Sequence, residues 1–324
     1  MESTGVFNQM TILIFVVITG YTARKLKILD EKIDGALVRL VLNFTLPAVI
    51  LASVLNAKTL LEHHVIIEML VWGAATYALM IALAFLTSHL MCKDLINKQT
   101  YTFMAIFGNT GFLGFPVIQS LYGSEAVLLA AIFNIPFNVL VFSLGLQLIK
   151  GPEHSDENKL RNNKNSFLNT LSDFTHIIFT PAVISAIFAM IFALFGLHNV
   201  AIVGPALQTL GDFTTPATLM LVGSSLAQYR VREMLGNWRA YVISAVRILG
   251  IPLVVLIIGK LVISDPLVLS VLVVLAGTPV ATNSLMLAMQ YKGDIKTVTQ
   301  GLFISTVASV FTLPLLATIV ALVV

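Results

Sequence analysis

The chain has 324 residues, of which 57% are hydrophobic and 11% are charged. A soluble domain carries roughly 25% charged residues, so this chain has too few polar side chains to cover a surface that faces water. Its net charge of +3 does not indicate a nucleic-acid partner, and its single cysteine excludes an internal disulfide and a multi-cysteine metal site. These features indicate a multi-pass protein of the lipid bilayer.

Ten apolar runs follow one another along the chain, each close to the ~20 residues that cross roughly 30 Å of hydrocarbon. We therefore predict an all-α polytopic membrane protein with ten transmembrane helices. The predicted spans lie at residues 6–23, 33–55, 65–89, 98–122, 124–149, 174–197, 200–228, 238–262, 266–290 and 297–322. No basic segment precedes the first run, so we expect it to remain as a span rather than to be cleaved as a signal peptide.

Basic residues are divided unequally between the two sets of alternate loops. The poorer set holds only Lys58 and Lys260. The richer set holds Arg24, Lys25, Lys27, Lys32, Lys93, Lys98, Lys150, Lys159, Arg161, Lys164, Arg230, Arg232, Arg239, Lys292 and Lys296. Because basic loops face the cytoplasm, we predict that residues 151–170 form a cytoplasmic linker. Both termini would then be extracellular or periplasmic, in a plasma or inner membrane.

The sequence resembles itself at an offset of 169 residues. Residues 44–48 (FTLPA) align with residues 213–217 (FTTPA), and the early predicted spans fall near the late ones. Residues 1–150 would form the first repeat and residues 171–324 the second, each with five spans. Because five is odd, the second copy would enter the membrane from the opposite side. Such inverted repeats are typical of secondary transporters.

The fourth and ninth predicted spans are interrupted at matching positions. The first interruption reads GNTGFLGFP at residues 108–116, and the second reads GTPVATNS at residues 277–284. Broken backbone inside a membrane must be buried in protein or line a cavity. Paired interruptions often mark a transporter's binding site, although glycine and proline also kink membrane helices for packing alone. We predict two broken helices whose free N–H groups attract an anion at the midplane.

The polar and conformationally special residues of the two interruptions, together with two asparagines of the fifth span, are the predicted substrate-binding residues. They are Asn109, Thr110, Gly111, Gly114, Pro116, Asn134, Asn138, Thr278, Pro279, Thr282, Asn283 and Ser284. Asn134 and Asn138 share one helix face and either support the interruption or contact substrate. Pro116 is expected to begin the second half of the fourth helix, where its missing N–H would have no partner.

Arg247 and Asp212 lie deep inside predicted spans of the second repeat. Arg247 lies about nine residues into its span, or roughly 13 Å deep, where a charge is costly and needs a partner. It either clamps a substrate carboxylate or makes a structural contact, with a carboxylate or with the free carbonyls of a broken helix. Asp212 either carries a coupling proton or cation, neutralises Arg247, or faces an aqueous vestibule.

These residues resemble the auxin efflux carrier family, which includes plant PIN-FORMED carriers and bacterial organic-acid permeases. Residues 109–116 match the fourth-helix motif Asn-Thr-x-x-x-Gly-x-Pro, and residues 44–47 look like the second-helix motif. The Arg247-x-x-x-x-Pro252 pattern is similar to the eighth-helix motif. The resemblance extends over essentially the whole chain. It implies a ten-helix fold like that of bile-acid and sodium–proton transporters, in which helices 4 and 9 cross at their breaks.

The resemblance also implies that the helices form two parts with different roles. Spans 1, 2, 6 and 7 would form a scaffold, often dimeric, and spans 3–5 and 8–10 a moving transport domain. The chain departs from the plant carriers at residues 278–280, where it reads Thr-Pro-Val and they read Pro-Gln-Gly, and in its short cytoplasmic loop. It is similar to the bacterial branch, whose better-known members carry malate and malonate.

The sequence predicts an elevator-type secondary carrier of small organic anions such as mono- or dicarboxylates. An anion channel is the alternative, because broken helices and inverted repeats also occur in channels. An intramembrane enzyme is less expected, because no Ser-His-Asp set or metal cluster falls at one depth, and no Walker motif supports ATP-driven transport. We expect no cofactor and no metal. The expected partners are the anion, the bilayer and a second copy held through the scaffold.

Overall fold

The computed structural model describes residues 3–57, 61–92, 95–149, 180–229, 231–291 and 293–323. The predicted linker, residues 151–170, lies outside these ranges. Within them the chain is helical, and its only β pairing is a single isolated bridge. The prediction of an all-α protein is confirmed for this part of the chain.

The described helices are numbered in chain order. Those of the first half are α1 (Ser3–Lys25), α2 (Glu31–Leu55), α3 (His63–Met91), α4 (Leu95–Ile106), α5 (Phe115–Tyr122), α6 (Ala126–Leu140) and α7 (Leu146–Ile149). Those of the second half are α8 (Pro181–Leu194), α9 (Val203–Asp212), α10 (Thr214–Gln228), α11 (Val231–Met234), α12 (Trp238–Val262), α13 (Pro266–Ala276), α14 (Asn283–Gln290) and α15 (Ile295–Val323).

Several of these helices have the length and composition of membrane spans. Among the described residues, α2, α3, α12 and α15 are each long and apolar enough, which makes four. The number rises to five if the bent run from Ala126 to Ile149 counts as one span. The other predicted spans fall on helices that do not meet both criteria by themselves. A chain with this many apolar helices is a multi-pass membrane protein.

Wide π-helical turns interrupt several helices next to prolines. Among the described residues they are Val41–Thr45, Thr110–Gly114, Val141–Gly145 and Val246–Gly250. Three of the four end two residues before a proline, at Pro47, Pro116 and Pro252. Proline lacks the N–H that would bond to the carbonyl four residues earlier, and a wider turn accommodates this loss. Pro116 lies in the first turn of α5, as expected, and the wide turn from Thr110 to Gly114 precedes that helix.

Helices α1, α2, α9 and α10 pack with their backbones in contact. A Cβ atom at Gly20 of α1 would overlap the backbone of Met220, and one at Gly223 of α10 would overlap the backbone of Val17. Gly211 gives α9 the same close approach to α2. Residues without side chains allow membrane helices to approach this closely. These four helices form one closely packed group.

A second group of buried residues surrounds the two interruptions. The rings of Phe103 and Phe107 lie 4.8 Å apart between centroids, and those of Tyr77 and Phe133 lie 4.7 Å apart. All four side chains are buried, and they belong to α3, α4, α6 and the first interruption. Aromatic pairs at these distances add to the stability gained from burial alone. The interruptions are therefore enclosed by protein instead of facing lipid.

Candidate functional site

The two interruptions cross each other at the centre of this second group. Gly108 and Val280 form an antiparallel bridge. On either side of the bridge, backbone hydrogen bonds of 2.7 Å and 3.0 Å join residues 107–109 to residues 279–281. Extended backbone has no internal partners of its own and must find them within the protein at membrane depth. Each interruption supplies these partners to the other.

Asn109 begins the second half of the first interrupted helix. Its Oδ1 accepts a hydrogen bond of 3.2 Å from the backbone N–H of Phe112. Its Nδ2 is buried and has no hydrogen-bond partner among the described residues. None of those residues accepts a bond from the backbone amides of Thr110 and Gly111 either. Unpaired N–H groups at a helix start carry partial positive charge, so this helix end favours an acceptor or an anion.

The second interrupted helix resumes in a similar way at Asn283. Among the described residues, no acceptor is present for the backbone amides of Thr282 and Asn283. The hydroxyl of Thr282 is also buried without a partner there. Ser284, in contrast, donates both its hydroxyl and its backbone N–H to the carbonyl of Ala281. Two helix starts with free donors therefore meet at one crossing.

A cavity of about 330 Å³ lies beside the crossing. This is close to the lower end of the volumes, roughly 300–1,000 Å³, of small-molecule sites. Half of the predicted substrate-binding residues line it, namely Asn109, Gly111, Asn134, Asn138, Thr282 and Asn283. Arg39 and Asn43 of α2 also line it, and none of its described lining residues is acidic. The cavity therefore joins amide donors and one cation without an opposing carboxylate.

The other predicted residues shape the crossing and do not line the cavity. They are Thr110, Gly114, Pro116, Thr278, Pro279 and Ser284. The hydroxyl of Thr110 donates to Oδ1 of Asn134 at 2.7 Å, and Nδ2 of Asn138 donates to the carbonyl of Asn134 at 2.7 Å. Asn134 is thus bonded to the first interruption and also faces the cavity, so both roles left open for the asparagine pair are compatible with its position.

Arg247 connects the first halves of both interrupted helices. Its Nη1 donates to the carbonyls of Ala105 and Ile106 at 3.1 Å each, and its Nε donates to the carbonyl of Thr278 at 3.0 Å. Nη1 also lies 3.1 Å from the sulfur of Met80. Arg247 is 1% exposed and does not line the cavity. Of the alternatives stated for this residue, a structural contact with the free carbonyls of the broken helices is the one observed.

Two glycines of the first interruption have opposite surroundings. A Cβ atom at Gly108 would overlap Nη2 of Arg247 and the hydroxyl of Thr278, so only glycine lets the guanidinium pass this close to the backbone. A Cβ atom at Gly111 would meet nothing within 4 Å. Gly108 is therefore needed for the crossing itself, whereas Gly111 leaves space in the cavity.

Asp212 lies away from Arg247. It is exposed at the end of α9, and its Oδ1 accepts a hydrogen bond of 2.6 Å from Nε2 of Gln208. The suggested ion pair between Asp212 and Arg247 is not formed, since Asp212 is exposed and Arg247 is buried at the crossing. Nearby, the hydroxyls of Thr45 and Thr214, which are 169 residues apart, lie 2.9 Å from each other.

Sequence reasoning did not select Arg39 or Asn43 as site residues. They are four residues apart on α2 and so share one helix face, and Nδ2 of Asn43 donates to the carbonyl of Arg39 at 2.8 Å. An arginine inside a predicted span, followed one turn later by an amide, was the available signal. The sequence alone does not say which interior this face of α2 meets.

Comparisons with known proteins identify the family of the chain. A family model described as membrane transport protein matches residues 5–317. An uncharacterized transporter of Methanothermobacter thermautotrophicus is 28% identical over 303 residues, which is 93% of each chain. An uncharacterized transporter of Methanocaldococcus jannaschii is 23% identical over 95% of this chain and 96% of its own. The Escherichia coli transporter YfdV, also described as uncharacterized, is 23% identical over 94% of each. The chain therefore belongs to the membrane transport protein family of the auxin efflux carriers.

Proposed function

We propose that this protein is a secondary carrier of small organic anions, and that it binds the anionic group where the two interrupted helices cross. The observation that supports this most directly is the cavity of about 330 Å³. Asn109, Gly111, Thr282 and Asn283 of the two helix starts line it, and its described lining has a guanidinium and no carboxylate. The backbone amides of Gly111, Thr282 and Asn283 have no acceptor among the described residues, and neither has the buried Nδ2 of Asn109. Preformed donors of this kind suit a carboxylate, which accepts several hydrogen bonds at once.

The proposed architecture is a ten-span inverted repeat. The contact between Thr45 and Thr214, which are equivalent at the offset of 169 residues, supports it, because equivalent residues meet on the axis that relates two copies. The antiparallel pairing of the two interruptions supports it as well. Inverted repeats with broken helices at their interface are a recurring design of secondary transporters. In this arrangement both termini lie outside the cell membrane.

The proposed mechanism is of the elevator type, in which one group of helices moves against another. The backbone contacts at Gly20, Gly211 and Gly223 hold α1, α2, α9 and α10 close together, as suits a rigid scaffold. The interrupted helices belong to the other packed group, which carries the binding site. We further propose that two copies associate through the scaffold. The crossing has no buried carboxylate among its described residues, which suits transport driven by the gradient of the anion itself.

Uptake into proteoliposomes tests the proposed function. Purified protein is reconstituted, and uptake of labelled acetate, malonate, succinate and malate is measured with and without proton or sodium gradients. We expect saturable uptake of at least one of these anions above that of empty liposomes. No saturable uptake of any of them would contradict the proposal.

The same preparation separates a carrier from an anion channel. A channel would give single-channel currents that rise with anion concentration over a wide range, and a carrier gives a flux that saturates. A carrier also exchanges unlabelled anion inside the liposome for labelled anion outside, and this exchange produces no single-channel currents. Unitary currents in planar bilayers would favour the channel.

A further inference from the structure

We infer that Arg39 is the cation that binds the anion's negative charge in the cavity, and that Arg247 does not do so. This inference rests on the proposed function, since it assigns a residue to the same site. The sequence suggested Arg247 as a residue that could bind the substrate carboxylate. The inference assigns this role to Arg39, which lies on a different helix.

Arg39 is an unpaired charge that faces the cavity. Its side chain is exposed and lines the cavity, and its guanidinium makes no ion pair or hydrogen bond with any described residue. The guanidinium lies along α2, where a Cβ atom at Gly35 would be 3.9 Å from Nη1. Because Gly35 has no side chain, Arg39 lies against the helix without being held by a polar partner. It is free to turn toward a ligand.

The position of Arg39 makes an unpaired charge costly. The predicted span begins at residue 33, and a rise of 1.5 Å per residue places Arg39 about 9 Å into it. Charged residues at such depth face the interior of the bundle or a water-filled cavity, pair with another group, and mark the path of a substrate or ion. Since no described residue supplies the partner, an anionic ligand is the group that fits.

The two arginines near the crossing differ in what they can offer a ligand. Arg247 is 1% exposed, and the carbonyls of Ala105, Ile106 and Thr278 accept its hydrogen bonds. None of the side-chain donors of Arg39 is bonded to a residue that the structure describes. A guanidinium presents them in a planar fork that matches a carboxylate with two parallel hydrogen bonds. An anion in the cavity would therefore meet Arg39 on one side and the free amides of the crossing on the other.

Binding of anions to purified protein tests this inference. The probes are acetate, malonate and succinate, titrated into wild type, Arg39→Gln and Arg39→Lys in detergent by isothermal calorimetry. Loss of a hydrogen bond to a charged group should weaken binding in Arg39→Gln by at least tenfold. Arg39→Lys should recover part of the loss, because it keeps the charge without the fork. Melting temperatures should stay at the wild-type value, since Arg39 has no described partner to lose.

Arg232→Gln is the matched control, because Arg232 is exposed on α11 and does not line the cavity. It should bind as the wild type does. Wild-type binding that Arg39→Gln retains in full overturns the role of Arg39 and leaves the proposed function standing. A loss in Arg39→Gln that Arg39→Lys does not reduce at all also overturns it, because charge would then not matter. If the wild type binds none of the three probes, the proposed function and the role of Arg39 both fail.

Discussion

At the scale of single residues, the two arginines of the predicted spans have different tasks. Arg247 is buried and joins carbonyls at the ends of both first half-helices, next to the bridge of Gly108 and Val280. The C-terminal end of a helix carries partial negative charge, so one buried cation serves two helix ends at once. Arg39 is exposed to the cavity and unpaired among the described residues. Burial and partners, and not charge or depth, separate a structural arginine from one available to a ligand.

This distinction predicts the effect of Arg247→Lys. The lysine ammonium is a single point charge and lacks the planar, forked donors of the guanidinium, so it cannot bond to the carbonyls of Ala105, Ile106 and Thr278 together. Each buried carbonyl left without a donor costs about 1–3 kcal/mol. We expect a clear fall in the melting temperature of the detergent-solubilised protein. Arg232→Lys, at an exposed position, should change it little. An Arg247→Lys protein as stable as the wild type would show that the observed contacts contribute little to folding.

At the scale of helices, the crossing depends on one glycine and the cavity on another. Gly108 lies under the guanidinium of Arg247, and Gly111 faces open space. Both belong to the same interruption, three residues apart, so they form a matched pair for substitution. Adding one methyl group should therefore affect stability differently at the two positions.

Gly108→Ala should destabilise the protein and Gly111→Ala should not. The added methyl at Gly108 forces Arg247 and Thr278 to move, and overpacking of this kind costs about 1–3 kcal/mol. At Gly111 it meets nothing within 4 Å, so stability should stay the same or rise by up to about 1 kcal/mol. Thermal unfolding of both variants in one detergent measures the difference. Equal losses of stability would show that the crossing is not as tightly packed as described.

The sequence predicts some features of the helices better than others, depending on whether particular residue types mark them. The interruptions were predicted because glycine, proline and asparagine stand out in an apolar span, and both were found, at residues 107–109 and 277–282. Pro116 lies in the first turn of α5, as expected from its missing N–H, but the wide turn at residues 110–114 that precedes this helix was not predicted. Local composition thus locates both the break and the proline at the start of α5, but it does not show the wide turn between them.

The candidate site was predicted in part for a related reason. Asn109 and Asn283 were selected because they belong to the interruptions, and both line the cavity. Arg39 and Asn43 were not selected, since their position at the site depends on how α2 packs against other helices. Contacts between helices far apart in sequence are decided by complementary faces, such as that of Gly211 against Val49. A single sequence does not display which faces meet.

At the scale of the whole molecule, the unequal distribution of basic residues predicts the orientation in the membrane. Loops rich in lysine and arginine stay in the cytoplasm, which places the linker inside and both termini outside. A single cysteine at residue 2 (Glu2→Cys) or residue 162 (Asn162→Cys), in a Cys92→Ser background, should react with an impermeant reagent from opposite sides. The background protein without an added cysteine is the control. Labelling of both positions from one side would contradict the ten-span inverted repeat.

The binding mode also belongs to the whole molecule, because the anion is proposed to join two interruptions that are far apart in sequence. Asn109 lies in the first interruption and Asn283 in the second, and both line one cavity. If each contributes a hydrogen bond to one bound anion, their effects are coupled. Substitution of both should then change the binding free energy by an amount that differs from the sum of the two single changes.

The most direct test is calorimetric titration of the best transported anion into wild type, Asn109→Ala, Asn283→Ala and the double variant. A hydrogen bond to a charged group contributes roughly 1.5–3 kcal/mol, so each single variant should bind at least tenfold more weakly while remaining folded. Asn56→Ala, at the far end of α2 and outside the cavity, should bind normally. The account predicts these losses with a non-additive double variant. A correctly folded Asn109→Ala or Asn283→Ala protein that binds the anion as tightly as the wild type would contradict it.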